Sequence, residues 1–189
     1  MKIRKSGVYS LGAVLLAAIL TLTGCTSSQD MGTNQESMES MEFSNADIMF
    51  AQMMIPHHQQ ALDMSELALQ LGQTPELVDL AAQIRDEQDP EIAQMRSWLE
   101  KAGAPEEMGH GSHGMDGMLA EEQMAALLSA TGSEFERLFL EGMIAHHEGA
   151  IAMAQMVLDS DNSEVRALAE AIVSSQLAQI DFMKTLLSR

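Results

Sequence analysis

Between residues 44 and 188 apolar positions recur at steps of three and four, the period of a helix face and not the alternation of a strand. Ile48, Ala51, Ile55, His58, Leu62, Ser65 and Leu69 form one stripe; Phe50, Met54, His57, Ala61, Met64, Ala68 and Leu71 form a second beside it. Two adjacent inward stripes describe a helix deep in a bundle. Ser44 as cap, Asp47 three residues on and Phe43 stapled to Ile48 mark its start, and Gly72 marks its end. Thr74-Pro75 opens a second helix, which carries Leu77, Ala81, Ile84, Gln88, Ile92, Met95 and Leu99 inward and stops at Gly103. Pro90 is expected to bend it, because the ring removes one backbone donor. Leu119 to Ser129 reads as a short helix. Ser133 and Glu136 make a second capping box for a helix running to about Leu158, and Asp161, Asn162 and Ser163 cap a last helix that reaches the C-terminus.

The second half repeats the first. Phe50, Met54, Ile55, His57, His58, Ala61, Met64 and Leu69 return 89 residues later as Phe139, Met143, Ile144, His146, His147, Ala150, Met153 and Leu158. Ile84, Gln88, Ile92, Met95 and Leu99 return 88 residues later as Ile172, Gln176, Ile180, Met183 and Leu187. Two copies of a helical hairpin with wide apolar faces predict an all-α four-helix bundle with pseudo-twofold symmetry, plus a short extra helix in the crossover.

The ends change the picture of where this bundle works. Lys2, Arg4 and Lys5 precede an apolar run from Val8 to Leu22, which closes on Leu22-Thr23-Gly24-Cys25. That is the pattern of a lipoprotein signal, with residues 1–24 removed and a lipid on Cys25. Residues 25–43 then form a polar tether. The bundle spans 44–189: hairpin one over 44–102, a Met/His/Gly-rich loop and short helix over 103–131, and hairpin two over 133–188. The expected location is the cell envelope, outside the cytoplasm and anchored in a membrane. Without the three signal cations, seven basic residues face 28 acidic ones. Such a surface repels nucleic acid and concentrates cations.

Candidate chemistry lies in the paired histidines. Cys25 is the only cysteine, so no thiol remains for a disulfide, a zinc cluster or a nucleophile. Met54, His57 and Met64 share one helix face, and Met143, His146 and Met153 copy that row; His58 and His147 lie on the neighbouring stripe. Methionine often only fills gaps in a core. Four core histidines at two repeated levels need more explanation, since burial without a partner costs about 1–3 kcal/mol each. Thioether with imidazole favours soft ions, above all Cu(I), and silver by similarity; zinc prefers thiolate or more histidine and carboxylate. By depth along each hairpin, Gln88 falls level with His58 and Gln176 with His147, so each amide either holds an imidazole in one tautomer or is satisfied by backbone or water. Met108, His110, His113, Met115 and Met118 in the Gly-rich loop resemble an exchangeable metal-capturing arm. Met31, Met38 and Met41 sit in the tether.

The doubled segments "MIPHHQQA" and "MIAHHEGA", each followed by a helix with Gln-x3-Ile-x2-Met, resemble the ferritin-like family called domain of unknown function 305. That family includes copper-binding periplasmic proteins of the CopM metallochaperone type. The resemblance spans about Asn45 to Leu187. It implies an exported helical bundle, with copper binding and copper tolerance in some members, at Met54, His57, His58, Met64, Met143, His146, His147 and Met153. The function expected is therefore copper sequestration or transfer to a partner protein that the sequence does not name, without catalysis. Two other readings compete. One is a structural or interaction bundle held by a histidine network. The other is a ferritin-like oxidase, which would need an inward Glu-x-x-His pair on its helices; only Glu107 to His110 has that spacing, and it lies in the loop.

Overall fold

A computed structural model describes residues 42–107 and 115–189. The signal segment, Cys25, the tether methionines, and Met108, His110 and His113 lie outside the described residues. Five helices follow in order: α1 (Asn45–Leu71), α2 (Pro75–Ala102), α3 (Glu121–Ser129), α4 (Gly132–Gln155) and α5 (Ser163–Leu187). The capping box of α1 forms in full: Ser44 Oγ accepts from the Asp47 amide, and Asp47 accepts from the Ser44 amide. Both α1 and α2 run unbroken through Pro56 and Pro90. Among the described residues no helix is long and apolar enough to cross a membrane.

The second capping box does not form. Helix α4 begins at Gly132, so Ser133 lies inside its first turn and Thr131 precedes it without a side-chain cap, while the Glu136 carboxylate is committed elsewhere. It accepts from the amides of Gln73 and Thr74, 2.8 and 2.7 Å away, and so caps α2 from across the bundle. Thr74 itself makes no side-chain cap bond. At α5, Asn162 alone does the capping, accepting from Glu164 and Val165. Helix α4 ends at Gln155, in a turn before Leu158.

Cross-bundle contacts make neighbouring helices antiparallel. His58 meets Glu91, His147 meets Gln179, Asp47 meets Ser160, and Trp98 meets Glu164. The helices therefore order as α1, α2, α5, α4 around the bundle, with α2 and α4 parallel across the diagonal. A chain leaving the end of α2 must travel the bundle's length to begin α4. It does so along the α1–α4 seam. Gln52 donates to the Pro105 carbonyl at 2.7 Å. Further along, Gln60 grips the Leu119 backbone twice, donating to its carbonyl at 3.0 Å and accepting from its amide at 2.7 Å.

Glycines let this strap lie flat. Gly117 has a left-handed backbone, with φ of 87°, and a Cβ there would meet the Ala145 carbonyl oxygen at 2.5 Å. A Cβ on Gly149 of α4 would collide with the Asp116 carbonyl, whose carbon would lie 2.7 Å away. In an ordinary helix interior Gly→Ala stabilises by up to about 1 kcal/mol. At Gly149 the sign should reverse, with a loss of about 1–3 kcal/mol from overpacking against a backbone that is pinned by Gln60. Urea unfolding of Gly149→Ala checks this; an equal or raised midpoint would mean that the strap does not rest on α4.

Candidate metal centre

The apolar interior is not continuous. One cluster gathers Phe50, Met54, Met95, Trp98, Met153, Val165 and Ile172; the other gathers Met64, Leu77, Ile84, Phe135, Phe139, Met143 and Met183. On every long helix the two clusters are separated by one short interval. That interval carries His57 and His58 on α1, Gln88 on α2, His146 and His147 on α4, and Gln176 and Gln179 on α5, all buried. A polar layer thus crosses the bundle between two apolar ones, and the helical repeat places it: each core stripe carries one polar residue at the same depth.

Within the layer the two histidines of each pair differ. His57 and His146 face each other across the α1–α4 seam, with ring centroids 3.7 Å apart and planes tilted by 39°. His58 and His147, equally buried, face α2 and α5 instead, 6.4 and 6.5 Å from their own neighbours. The two pairs meet in the one layer through the His57–His146 contact. Both nitrogens of His57 and of His146 are buried without a hydrogen-bond partner, as are Nδ1 of His58 and Nδ1 of His147. That is six free imidazole nitrogens in one buried layer, where polar atoms are ordinarily paired.

Charge is excluded from His57, His146 and His147. Burial, followed by the nearby His58, pushes His57 from the usual 6.5 down to about 3; the Asp116 carbonyl faces the ring and opposes the shift without closing an ordinary hydrogen bond. Burial, then the other three imidazoles, holds His146 well below its usual value. Burial brings His147 to about 4, with Gln179 pulling the other way. Neutral imidazole is the form that binds metal.

The expected roles of Gln88 and Gln176 are not met. Neither amide bonds an imidazole: both polar atoms of Gln88, and Oε1 of Gln176, have no partner. The bonds come from one turn further along. His58 Nε2 lies 2.8 Å from Glu91 Oε2, and His147 Nε2 lies 2.6 Å from Gln179 Oε1. The reason is directional. Side chains on a helix lean toward its own N-terminus, so in an antiparallel pair both partners lean apart from the shared level. Counting depth by Cα position therefore falls one turn short. Gln179 in turn donates to Glu87 Oε2 at 2.8 Å.

Of the thioethers expected at the site, Met54, Met64 and Met143 are fully buried and Met153 nearly so. They sit in the apolar clusters on either side of the layer, Met54 and Met153 in one and Met64 and Met143 in the other. Met115 packs on the first cluster from the strap, with Met118 half-buried three residues on. Glu141 and Glu148, near the second pair in sequence, are exposed and bind Arg137 and approach Lys184. Among the described residues no group of three or more His, Cys, Asp or Glu side chains forms a ready metal cluster. Imidazole with thioether sulfur is a donor set that suits a soft monovalent cation.

Sequence reasoning missed Glu91, Gln179, Glu87, Gln60 and Gly149. Two signals were present: Glu91 and Gln179 correspond under the 88-residue repeat, and Gln60 and Gly149 correspond under the 89-residue one.

Comparisons with known proteins agree with this architecture. The profile of the family described as Domain of unknown function (DUF305) matches residues 47–187. A DUF305 fragment from Deinococcus radiodurans superposes with a TM-score of 0.71 at 34% identity, covering 77% of this chain and 97% of that one. CopM in its Cu(I)-bound form gives 0.63 at 34% identity, covering 75% and 95%. CopM in its Ag-bound form gives the same score and identity, covering 78% and 97%. No curated protein matches the chain. With its doubled His-His hairpins folded as an all-α bundle, the chain belongs to the DUF305 family.

Proposed function

We propose that the protein binds Cu(I), with Ag(I) as its mimic, inside the bundle and sequesters it or hands it on in the cell envelope, without performing chemistry on it. One observation carries the reading: His57 and His146, neutral and unpartnered at both nitrogens, meet at 3.7 Å in a buried layer flanked by thioethers. Two imidazoles with Met54, Met64, Met143 and Met153 nearby supply soft and borderline donors and no thiolate, which disfavours zinc. His58 and His147 add one free nitrogen each. CopM, similar over three quarters of this chain, has been solved with Cu(I) and with Ag bound. The lipid on Cys25, the capturing role of the loop residues 108–118 and a protein that receives the metal belong to the same proposal.

A second reading has an observation of its own. The His58–Glu91 and His147–Gln179 bonds tie α1 to α2 and α4 to α5, as a purely structural network would. Silver separates the two. A ligand bound only to the native state raises stability, by about 2.7 kcal/mol at a hundredfold excess over Kd. Thermal melts of metal-free protein with and without Ag(I) should therefore differ by several degrees; coincident melts would favour the structural reading.

Titration of Cu(I) against a chromophoric competitor tests the site itself. Replacing His57 and His146 together by Ala should weaken binding by about 100-fold or more, equivalent to about 2.7 kcal/mol. Equal binding by both proteins, or binding no tighter than micromolar in the parent, would end the proposal.

The depressed imidazoles also fix how metal-free stability depends on pH. Unfolded histidines take up protons as pH falls through 6.5, whereas His147 resists until about 4 and His57 until about 3. Through that window the unfolded chain holds more protons, so stability falls as pH falls, by up to about 1.4 kcal/mol per pH unit for each such ring. Above 6.5 both states are neutral there and this contribution is constant. Urea midpoints of metal-free protein should be level above about pH 7 and drop between about pH 6.5 and 5; His146→Leu should remove about one proton from that slope. A level profile down to pH 5 would mean that the rings are solvated in the native state.

A further inference from the structure

His58 and His147 occupy equivalent places in the two hairpins, yet their partners differ chemically. A carboxylate can only accept, so at 2.8 Å the Glu91 oxygen requires that His58 Nε2 carry the proton. At His147 the partner is an amide, which in isolation could present either its oxygen or its nitrogen. Glu87 removes that freedom. Its carboxylate takes the Gln179 nitrogen as donor at 2.8 Å, so Gln179 must turn its oxygen to the ring, and His147 Nε2 must also be the donor. Two carboxylates on one turn of α2 therefore set the proton in both hairpins, directly on one side and through an amide on the other. Nδ1 of each ring is left inside the layer with no partner.

We propose that Glu91 and Gln179 are positioning residues that hold Nε2 as the protonated nitrogen of His58 and His147, so that these rings take a soft monovalent cation through Nδ1. The two halves of the duplicated site are then unequal. An ion entering the layer finds a full negative charge one bond behind His58, but only a relayed one, two bonds behind His147. A cation removed from water requires nearby counter-charge, and His57, His146 and His147 carry none when neutral. Glu91 supplies it, and the ion should bind toward the His58 half. The cation part of this inference rests on the function proposed above; the positioning part does not.

Long-range proton–nitrogen NMR of metal-free, signal-free protein at neutral pH reads the ring protons directly, and Ag(I) affinity is measured on the same samples. Wild type should show both rings protonated at Nε2 and bare at Nδ1. Glu91→Gln is isosteric but free to turn its amide, so an Nδ1-protonated population should appear at His58 while His147 is unchanged. Silver affinity should fall about 10- to 100-fold, the usual cost of losing an outer partner of a metal-binding histidine. Leucine at position 91 (Glu91→Leu) should release the His58 proton further if the variant folds. Protonation of Nδ1 in the metal-free wild type, or an unchanged His58 in Glu91→Gln, would overturn the positioning role. Nε2 protonation in a wild type that binds no silver would support positioning while overturning both the cation part and the proposed function.

Discussion

The structure depends on bringing neutral imidazoles from two hairpins into ring-to-ring contact, centroids 3.7 Å apart, in a layer with too few hydrogen-bond partners. A dry interior tolerates such a layer poorly, since each orphaned polar atom costs about 1–3 kcal/mol. His57 and His146 leave four such nitrogens, and Gln88 and the outer histidines add more. Two apolar clusters offset this, one on each side, each drawing on all four long helices. They also explain why the layer is narrow. Every helix returns to Ile, Met, Ala or Phe within one turn of it, so the buried polar groups are confined to one level. What would be a defect in a purely structural bundle is, under the proposed function, a donor array for a soft cation.

The strap completes the enclosure. Antiparallel neighbours put the end of α2 and the start of α4 at opposite ends, and the connecting chain could run over any face. It runs over the α1–α4 seam, where the two central imidazoles meet, held by Gln60 on one helix and by the absence of a side chain at Gly149 on the other. These two positions are equivalents under the 89-residue repeat. A symmetric duplex would have put the same residue at both, either two amides or two gaps. One strap can satisfy only one arrangement, so the symmetry breaks where the crossover touches it.

Much of this was legible in the sequence. The inward list for α2, from Leu77 to Leu99, is buried residue for residue, and the doubled stripes of α1 and α4 placed all four histidines inside. Periodicity reports which face is buried, and burial is what it recovered. It could not report where a side chain leans along the helix axis, which is why Gln88 and Gln176 stood in for Glu91 and Gln179. Nor could it see that Glu136 would cap α2 at Thr74, 62 residues earlier, instead of its own helix. Local capping rules assume that a carboxylate serves its own helix, and tertiary contact decided otherwise. The split within each His-His pair was also invisible, since neighbours on a helix diverge by about 100° and only the partner helices determine which ring reaches the seam.

The same asymmetry runs through the site and the scaffold. Gln60 and Gly149, Glu91 and Gln179, Pro56 and Ala145 are all paired by the repeat and all different, whereas His57 and His146, His58 and His147, Met54 and Met143, Met64 and Met153 are paired and identical. The candidate donors fall among the identical pairs, and the residues that hold or cover them, Glu91 and Gln179, Gln60 and Gly149, fall among the differing ones. Under the proposed function, a buried monovalent ion gives a physical reason for this division. Several soft ligands are needed around it, and either copy of the hairpin can provide them equally. Counter-charge for a single positive ion is needed only once, and a second ionised carboxylate against His147 would leave the loaded layer with excess buried negative charge. An amide there keeps the hydrogen bond to the ring and removes the surplus, passing the remaining charge outward to Glu87.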